Sequence, residues 1–303
     1  MMQSLQPGDN VGFYEIVSLL EEGRGGMSAV YRAKRRPHYQ QEGYPEQVAL
    51  KVALPGYGDH LRIEANFMHR FNHPNVVKAY GVREADNAAK VGEAHLKDGH
   101  RVVYMAMELL TGSSLTKRLE HRGRLSPREA SLVARDLALA LQHIHSRMVI
   151  SLDIKPDNVL FRGVGRRVLG SYPRAVLCDF GIARDIGSPT IGEHAGTPGH
   201  FAPEQILYGQ VDPRRLTPAS DIFQWGILFY QMLTGDLPFG IDAGALIDPN
   251  SPAQPISAHR RVSKELDLMV QRALQKDPAR RYQGTDELLL DMQKLRLSAT
   301  RDL

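Results

Sequence analysis

The order of elements predicts an α+β chain built in two parts: a small strand-rich part with one main helix, then a larger and mainly helical part. Three features carry this prediction. Strand-type segments crowd into the stretch Phe13 to Ala53. Past Thr111-Gly112 the apolar residues recur at helical spacing instead of alternating. Ser126-Pro127-Arg128-Glu129 then reads as a capping box with proline at the first helical position, ahead of a face made by Ala130, Val133, Ala134, Leu137, Leu141 and Ile144.

Residues 1–10 form a short polar lead-in. Phe13-Tyr14-Glu15-Ile16-Val17, Ala29-Val30-Tyr31-Arg32-Ala33 and Gln47-Val48-Ala49-Leu50-Lys51-Val52 read as strands, with a glycine-rich turn between the first two and a loop from Arg36 to Glu46. A helix is expected from about Asp59 to Phe71, stopped by His73-Pro74, and strands over Val76–Val82 and Arg101–Met107. In the second part, Ser220 to Leu233 is apolar on nearly every face and stops at Gly235, which predicts a buried central helix. Thr285-Asp286-Glu287 opens a last helix with acid at its start, and Lys294 and Arg296 complement the dipole near its end. The joint between the parts falls near Glu108–Gly112.

Composition is that of an ordinary globular protein, 42% hydrophobic and 24% charged. The formal net charge of +4 is spread along the chain, which argues against a nucleic-acid binder. A single cysteine, Cys178, excludes an internal disulfide framework and fits a reducing compartment. The 12 histidines form no Cys/His ligand array. No apolar run reaches membrane-spanning length and no secretory leader is visible at the N-terminus, so a cytoplasmic protein is expected.

The chemistry-bearing residues come in a fixed order. Gly23-Arg24-Gly25-Gly26-Met27-Ser28-Ala29-Val30 lies between two strands, where glycines let backbone amides approach phosphate oxygens; alone, it is equally well an ordinary glycine hairpin. Val48-Ala49-Leu50-Lys51 follows, with Glu64 in the next helix. Later come Asp153-Ile154-Lys155-Pro156-Asp157-Asn158, Asp179-Phe180-Gly181 and Thr197-Pro198-Gly199-His200-Phe201-Ala202-Pro203-Glu204. Asp221 with Trp225-Gly226, and Arg281 after Asp277-Pro278, complete the set.

This ordered set resembles the eukaryotic-like (Hanks-type) serine/threonine protein kinase catalytic domain, in particular its bacterial branch, over essentially Tyr14 to Leu297. The resemblance implies an α+β, bilobal protein kinase fold with a small antiparallel-sheet N-lobe (11–107), a hinge (108–112), a mainly helical C-lobe (113–297) and a tail (298–303). It implies transfer of the γ-phosphate of ATP to protein substrates, with Mg²⁺, or Mn²⁺ in its place. Lys51 would hold the α- and β-phosphates with Glu64 as its ion-pair partner. Asp153 would be the base, worth about 10²–10⁴-fold, and Lys155 would neutralise the transferred phosphoryl group. Asn158 and Asp179 would hold the metal. Gly23, Arg24, Gly25, Gly26, Met27 and Ser28 would cover the phosphates. Adenine would dock on Glu108 and Leu110, between Leu20, Val30 and Ala49 above and Leu160 below, with Met107 as gatekeeper. Thr197, bridging Asp153 and Lys155, and Lys155 itself fit the serine/threonine branch. No oligomeric state is implied.

The chain departs from the family in places. The catalytic loop begins Ser151-Leu152-Asp153 where the family has His-Arg-Asp, and Ser28 stands at the third glycine. The family histidine fills a column with the residues at Met68 and Phe180; the arginine meets an activation-loop phosphate. Leu152 offers no such donor, so a phosphate on Ser188 or Thr190 would have only Arg184, itself expected in a flexible segment. These losses leave a nucleotide-binding pseudokinase scaffold as the alternative reading. Two further features stay open: the basic insertion at 162–171, a docking loop or a solvated hairpin, and Cys178, an inert packed thiol or one reachable from the ATP pocket.

Overall fold

A computed structural model describes residues 5–24, 26–39, 44–82, 90–97, 99–163, 172–188, 197, 199–207 and 215–299. The chain divides into two compact units, 1–111 and 112–303.

The first unit holds an antiparallel sheet: β1 (Asn10–Val11), β2 (Tyr14–Arg24), β3 (Ser28–Arg35), β4 (Gln47–Ala53), β5 (Ala79–Tyr80), β6 (Gly92–His95) and β7 (Arg101–Met107), with α1 (Gly58–Met68) between β4 and β5. The spatial order is β1-β2-β3-β4-β7-β5, and β6 pairs with β7. Strand alternation sorts the residues. Tyr31 lies opposite Leu50 and Leu50 opposite Ala106; these three, with Ala33, Val48, Val52 and Tyr104, are buried in one core on one face. The other face takes Val30 opposite Lys51, and Ala49 opposite Met107. A one-residue slip would exchange the two sets.

Several boundaries differ from expectation. The first strand runs on to Arg24, with register shifts between Leu19 and Arg24. α1 ends at Met68; the N–H groups of Arg70 and Phe71 turn back to Phe67 O and Met68 O. Within Val76–Val82 only Ala79–Tyr80 joins the sheet, although Val76, Val77 and Val82 are buried. β6 was not expected, because Gly92-Glu93-Ala94-His95 carries almost no apolar signal.

The second unit contains α2 (Leu115–Arg122), α3 (Pro127–His145), β8 (Val149–Ile150), β9 (Val159–Phe161), β10 (Ala175–Leu177), β11 (Arg184–Asp185), α4 (Pro203–Ile206), α5 (Pro218–Thr234), α6 (Ala243–Ile247), α7 (Lys264–Ala273) and α8 (Thr285–Ala299). The capping box at α3 forms as read: Ser126 Oγ accepts from Glu129 N, and Glu129 Oε2 from Ser126 N, both at 3.2 Å. α5 is buried along nearly its whole length and ends at Gly235, whose φ of +92° suits glycine. Trp225 fixes α5 to α3 by donating from Nε1 to Ala134 O at 2.8 Å. Gly112 lies so close to Phe161 O, to which its N–H donates at 2.9 Å, that a Cβ would stand 2.2 Å from that oxygen. Glycine is therefore required there.

Candidate active site

In the first unit, β4 and α1 bring Lys51 and Glu64 together. Lys51 Nζ donates to Glu64 Oε1 at 2.6 Å and to Oε2 at 2.7 Å, and both residues are buried. Burying an ion pair costs desolvation that its attraction only just repays, so such a pair is weak evidence for stability and better evidence for positioning. The face that carries Lys51 also carries the adenine candidates Val30, Ala49 and Met107. Leu20, Val30, Met107, Glu108 and Leu110 are half-buried. Of the glycine loop, Gly25 lies outside the described residues; Gly23 and Arg24 end β2, Met27 follows the turn and Ser28 opens β3. Gly26 is exposed, with no atom of the described residues within 4 Å of where a Cβ would stand.

In the second unit the β9–β10 hairpin sets the metal candidates. Val159 pairs with Leu177, and Cys178 N donates to Asn158 O at 2.8 Å, which brings Asn158 to the same end of the hairpin as Asp179. Asn158 Nδ2 donates to Asp153 O at 2.9 Å and to Asp153 Oδ2 at 2.7 Å. Its amide protons are thereby used, and Oδ1 is left as a hard oxygen donor. Asp179 accepts from Gly181 N at 3.0 Å and has φ +64°. These two oxygen donors fit Mg²⁺, which binds through few protein ligands together with phosphates and waters. Among the described residues no group of three or more His, Cys, Asp or Glu gathers as a metal cluster.

Asp153 lies beside them. Lys155 Nζ is 2.9 Å from its Oδ2. Burial pushes the Asp153 carboxyl above the usual carboxylate range and Asp179 adds to this, while Lys155 and the Asn158 amide pull it back. The backbone around it is held from α5. Asp221, fully buried, accepts from Ser151 N at 2.9 Å and from Leu152 N at 2.8 Å, and His145 Nε2 is 2.8 Å from its Oδ2. Leu160 sits in β9, half-buried, bridged to Ser114. Glu204 is locked to Arg281 by two bonds, 2.7 Å and 2.9 Å, both residues buried.

The model of the protein kinase domain matches residues 14–291. This chain belongs to the protein kinase domain family. It is 31% identical, over 93% of its length, to a probable serine/threonine-protein kinase of Streptomyces coelicolor, SCO3848. It is 30% identical over 94% to the serine/threonine-protein kinase PknD of Mycobacterium tuberculosis, and 28% over 93% to PrkC of Bacillus subtilis. The chain spans 40% of the length of each of these relatives. Among solved structures, the PknI kinase domain of Mycobacterium tuberculosis, a double mutant, shares the fold with a TM-score of 0.67 at 23% identity, covering 96% of this chain and 99% of that one.

The kinase domain accommodates the two departures of its catalytic loop locally. Ser151 is fully buried, and among the described residues its Oγ has no hydrogen-bond partner. Leu152 takes φ +62°, a left-handed conformation uncommon for a non-glycine residue, and packs in an apolar cluster with Ile150 and Leu216, flanked by Ile182 and Ile186. Arg184, expected in a flexible segment, is instead in β11, paired opposite Ile150. Met68, in the first unit, and Phe180, in the second, are both buried. Cys178 is half-buried and points Sγ toward Val176 O at 3.6 Å. Thr190 and residues 164–171 of the basic insertion lie outside the described residues. Among those residues no helix is long and apolar enough to cross a membrane.

Three contributors escaped the sequence reading: His145, and Gln205 and Gln224, whose side-chain amides both donate to Leu152 O. Gln224 was masked by the apolar helix around it. His145 and Gln205 carry no spacing that marks them.

Proposed function

We propose that this kinase domain transfers the γ-phosphate of ATP to serine and threonine hydroxyls of protein substrates, with 11–107 and 113–297 as its lobes and 108–112 as the hinge. The observation that carries the reading is the Asp153 carboxylate, held by Lys155 and Asn158 on a backbone fixed from α5. In this reading Asp153 accepts the hydroxyl proton as the substrate oxygen attacks the γ-phosphorus. The bond from that phosphorus to the β–γ bridging oxygen breaks and ADP leaves. Lys155 offsets charge on the moving phosphoryl group, and Lys51, steered by Glu64, holds the α- and β-phosphates. Mg²⁺, or Mn²⁺, would be held by Asn158 and Asp179, and when bound it neutralises phosphate charge. The open space at Gly26 supports close approach of backbone to phosphate, since no packing demand from the described residues explains a glycine there.

Preference for serine and threonine is supported by Lys155 and Thr197 and by the names of the relatives. The single thiol and the need for ATP support action in the cytoplasm. The scaffold alternative rests on Ser151 and Leu152; retention of Lys51, Glu64, Asp153, Asn158 and Asp179 argues against it. The test is incubation with γ-labelled ATP, Mg²⁺ and a generic protein substrate, followed by phosphoamino-acid analysis. Label on serine and threonine is expected, and its loss in Lys51→Met. Label confined to tyrosine or to a small molecule would refute the assignment.

A further inference from the structure

α5 presents a second polar side chain one turn beyond Asp221, on the same face. Gln224 is 2% exposed, in a helix otherwise apolar around it. Its Oε1 accepts from Ile154 N at 3.0 Å. Its Nε2 donates to Leu152 O at 2.8 Å and to Gln205 Oε1 at 2.9 Å. The orientation of the amide is dictated by its partners, an N–H on one side and a carbonyl on the other. Gln205, in α4, donates from Nε2 to the same Leu152 O at 3.0 Å, and its Oε1 accepts from Ala202 N at 2.9 Å.

These bonds fall on the two residues that flank Asp153. Asp221 holds the N–H groups of Ser151 and Leu152; Gln224 holds the Leu152 carbonyl and the Ile154 N–H. The peptide groups on both sides of Asp153 are thus tied to one rigid helix, with Leu152 kept at φ +62°. A conformation of that kind persists only where its surroundings over-determine it. Through Gln205 the same network reaches Ala202, the residue before Pro203-Glu204. A residue needed only to fill α5 would be apolar, like Phe223 and Ile227 beside it, since a buried amide gains nothing unless every polar atom is matched.

We infer that Gln224, assisted by Gln205, is a positioning residue that sets the Asp153 carboxylate for proton abstraction. This rests on the kinase reading proposed above. Gln224 does not meet substrate; it acts through the backbone of the catalytic loop. A misplacement of about 1 Å at a reacting group can cost on the order of a hundredfold in rate.

The test compares wild type, Gln224→Met, Gln224→Glu and Gln205→Met in the intact chain, reading kcat, KM for ATP, thermal midpoint and amide exchange at Ile154. Gln224→Met keeps the volume and removes the amide. It is expected to lower kcat by roughly ten- to a hundredfold with KM for ATP unchanged, and to speed exchange at Ile154. Gln205→Met, which removes the second donor to Leu152 O, should lower kcat by less, again at constant KM. A carboxyl at 224 donates to Leu152 O only when protonated. The kcat of Gln224→Glu relative to wild type should therefore fall as pH rises, whereas the ratio for Gln224→Met stays flat. Wild-type kcat in Gln224→Met overturns the role, as does a loss of kcat that tracks a lowered thermal midpoint with KM for ATP rising in step. If Gln224→Met does not fold, wild-type kcat in Gln205→Met together with a flat ratio for Gln224→Glu overturns it. A folded wild type that transfers no phosphate overturns the kinase reading, and this role with it.

Discussion

Asp153 shows how a single carboxylate is given two constraints at once. Burial raises its pKa, which costs ionised base near the acid end of the pH range, while Lys155 and Asn158 oppose the shift and fix its direction. Only the ionised form can accept a proton. Turnover should therefore rise with pH through a pKa above the usual value of 3.8, and the acid limb should lie to the alkaline side of that of a free carboxylate. A pH–rate profile checks this; an acid limb at or below the ordinary carboxylate value would show that Asp153 is solvated during turnover. At this scale the candidate residues were legible, because Lys51, Glu64, Asp153, Lys155, Asn158 and Asp179 announce themselves by type and order. Gln224 and His145 were not. Their role is set by what they meet across 70 and 76 residues of sequence, the Ile154 N–H for Gln224 and the Asp221 carboxylate for His145, and composition carries no trace of such a meeting.

At the scale of elements, the candidates of the first unit depend on alternation in the sheet and those of the second on one face of α5. The strand pattern of Gln47–Ala53 was readable because Val48, Leu50 and Val52 alternate with Ala49 and Lys51, and the structure puts the two sets on opposite faces. β6 and α2 were not readable: the first is nearly devoid of apolar residues, and in the second only Leu115 is buried. The segment after β10 adds a consequence for control. Ile150, Leu152 and Leu216, with Ile182 and Ile186, make an apolar cluster where the family arginine would await a phosphate, and β11 pairs with β8 beside it. An activation-loop phosphate normally orders its segment through one to three charge-assisted bonds. Packing and a strand pair hold residues 182–186 without it. Ser188→Ala combined with Thr190→Ala is expected to keep turnover within about tenfold, or roughly 1.4 kcal/mol of barrier, and Thr197→Ala to cost more. Turnover of phosphatase-treated protein beside these variants, with sites mapped by mass spectrometry, checks it. A hundredfold fall restored by autophosphorylation at Ser188 or Thr190 would contradict it.

At the scale of the whole molecule, a buried ion pair ties distant segments of the second unit together. Glu204 and Arg281 stand 77 residues apart and meet through two short bonds. Arg281 also donates to Gln275 O, Lys276 O and Ala219 O and stacks 4.6 Å from the Phe223 ring. Removing one partner leaves the other charge buried and alone, so Arg281→Met should cost about 3–5 kcal/mol of stability, read as a fall in the denaturation midpoint. A loss under about 1 kcal/mol would mean that the pair behaves like an exposed one. The two-part order of the fold was legible throughout, because period and composition change together past Gly112. We propose that the domain remains a working kinase although Ser151 and Leu152 replace two family residues. The most direct measurement is a single-turnover reaction of phosphatase-treated protein with Mg²⁺ and ATP, set beside nucleotide binding by the same samples. Phosphoryl transfer by the wild type is expected, and in Asp153→Asn nucleotide binding without transfer. Nucleotide binding by the wild type without transfer would contradict it and make the chain a scaffold.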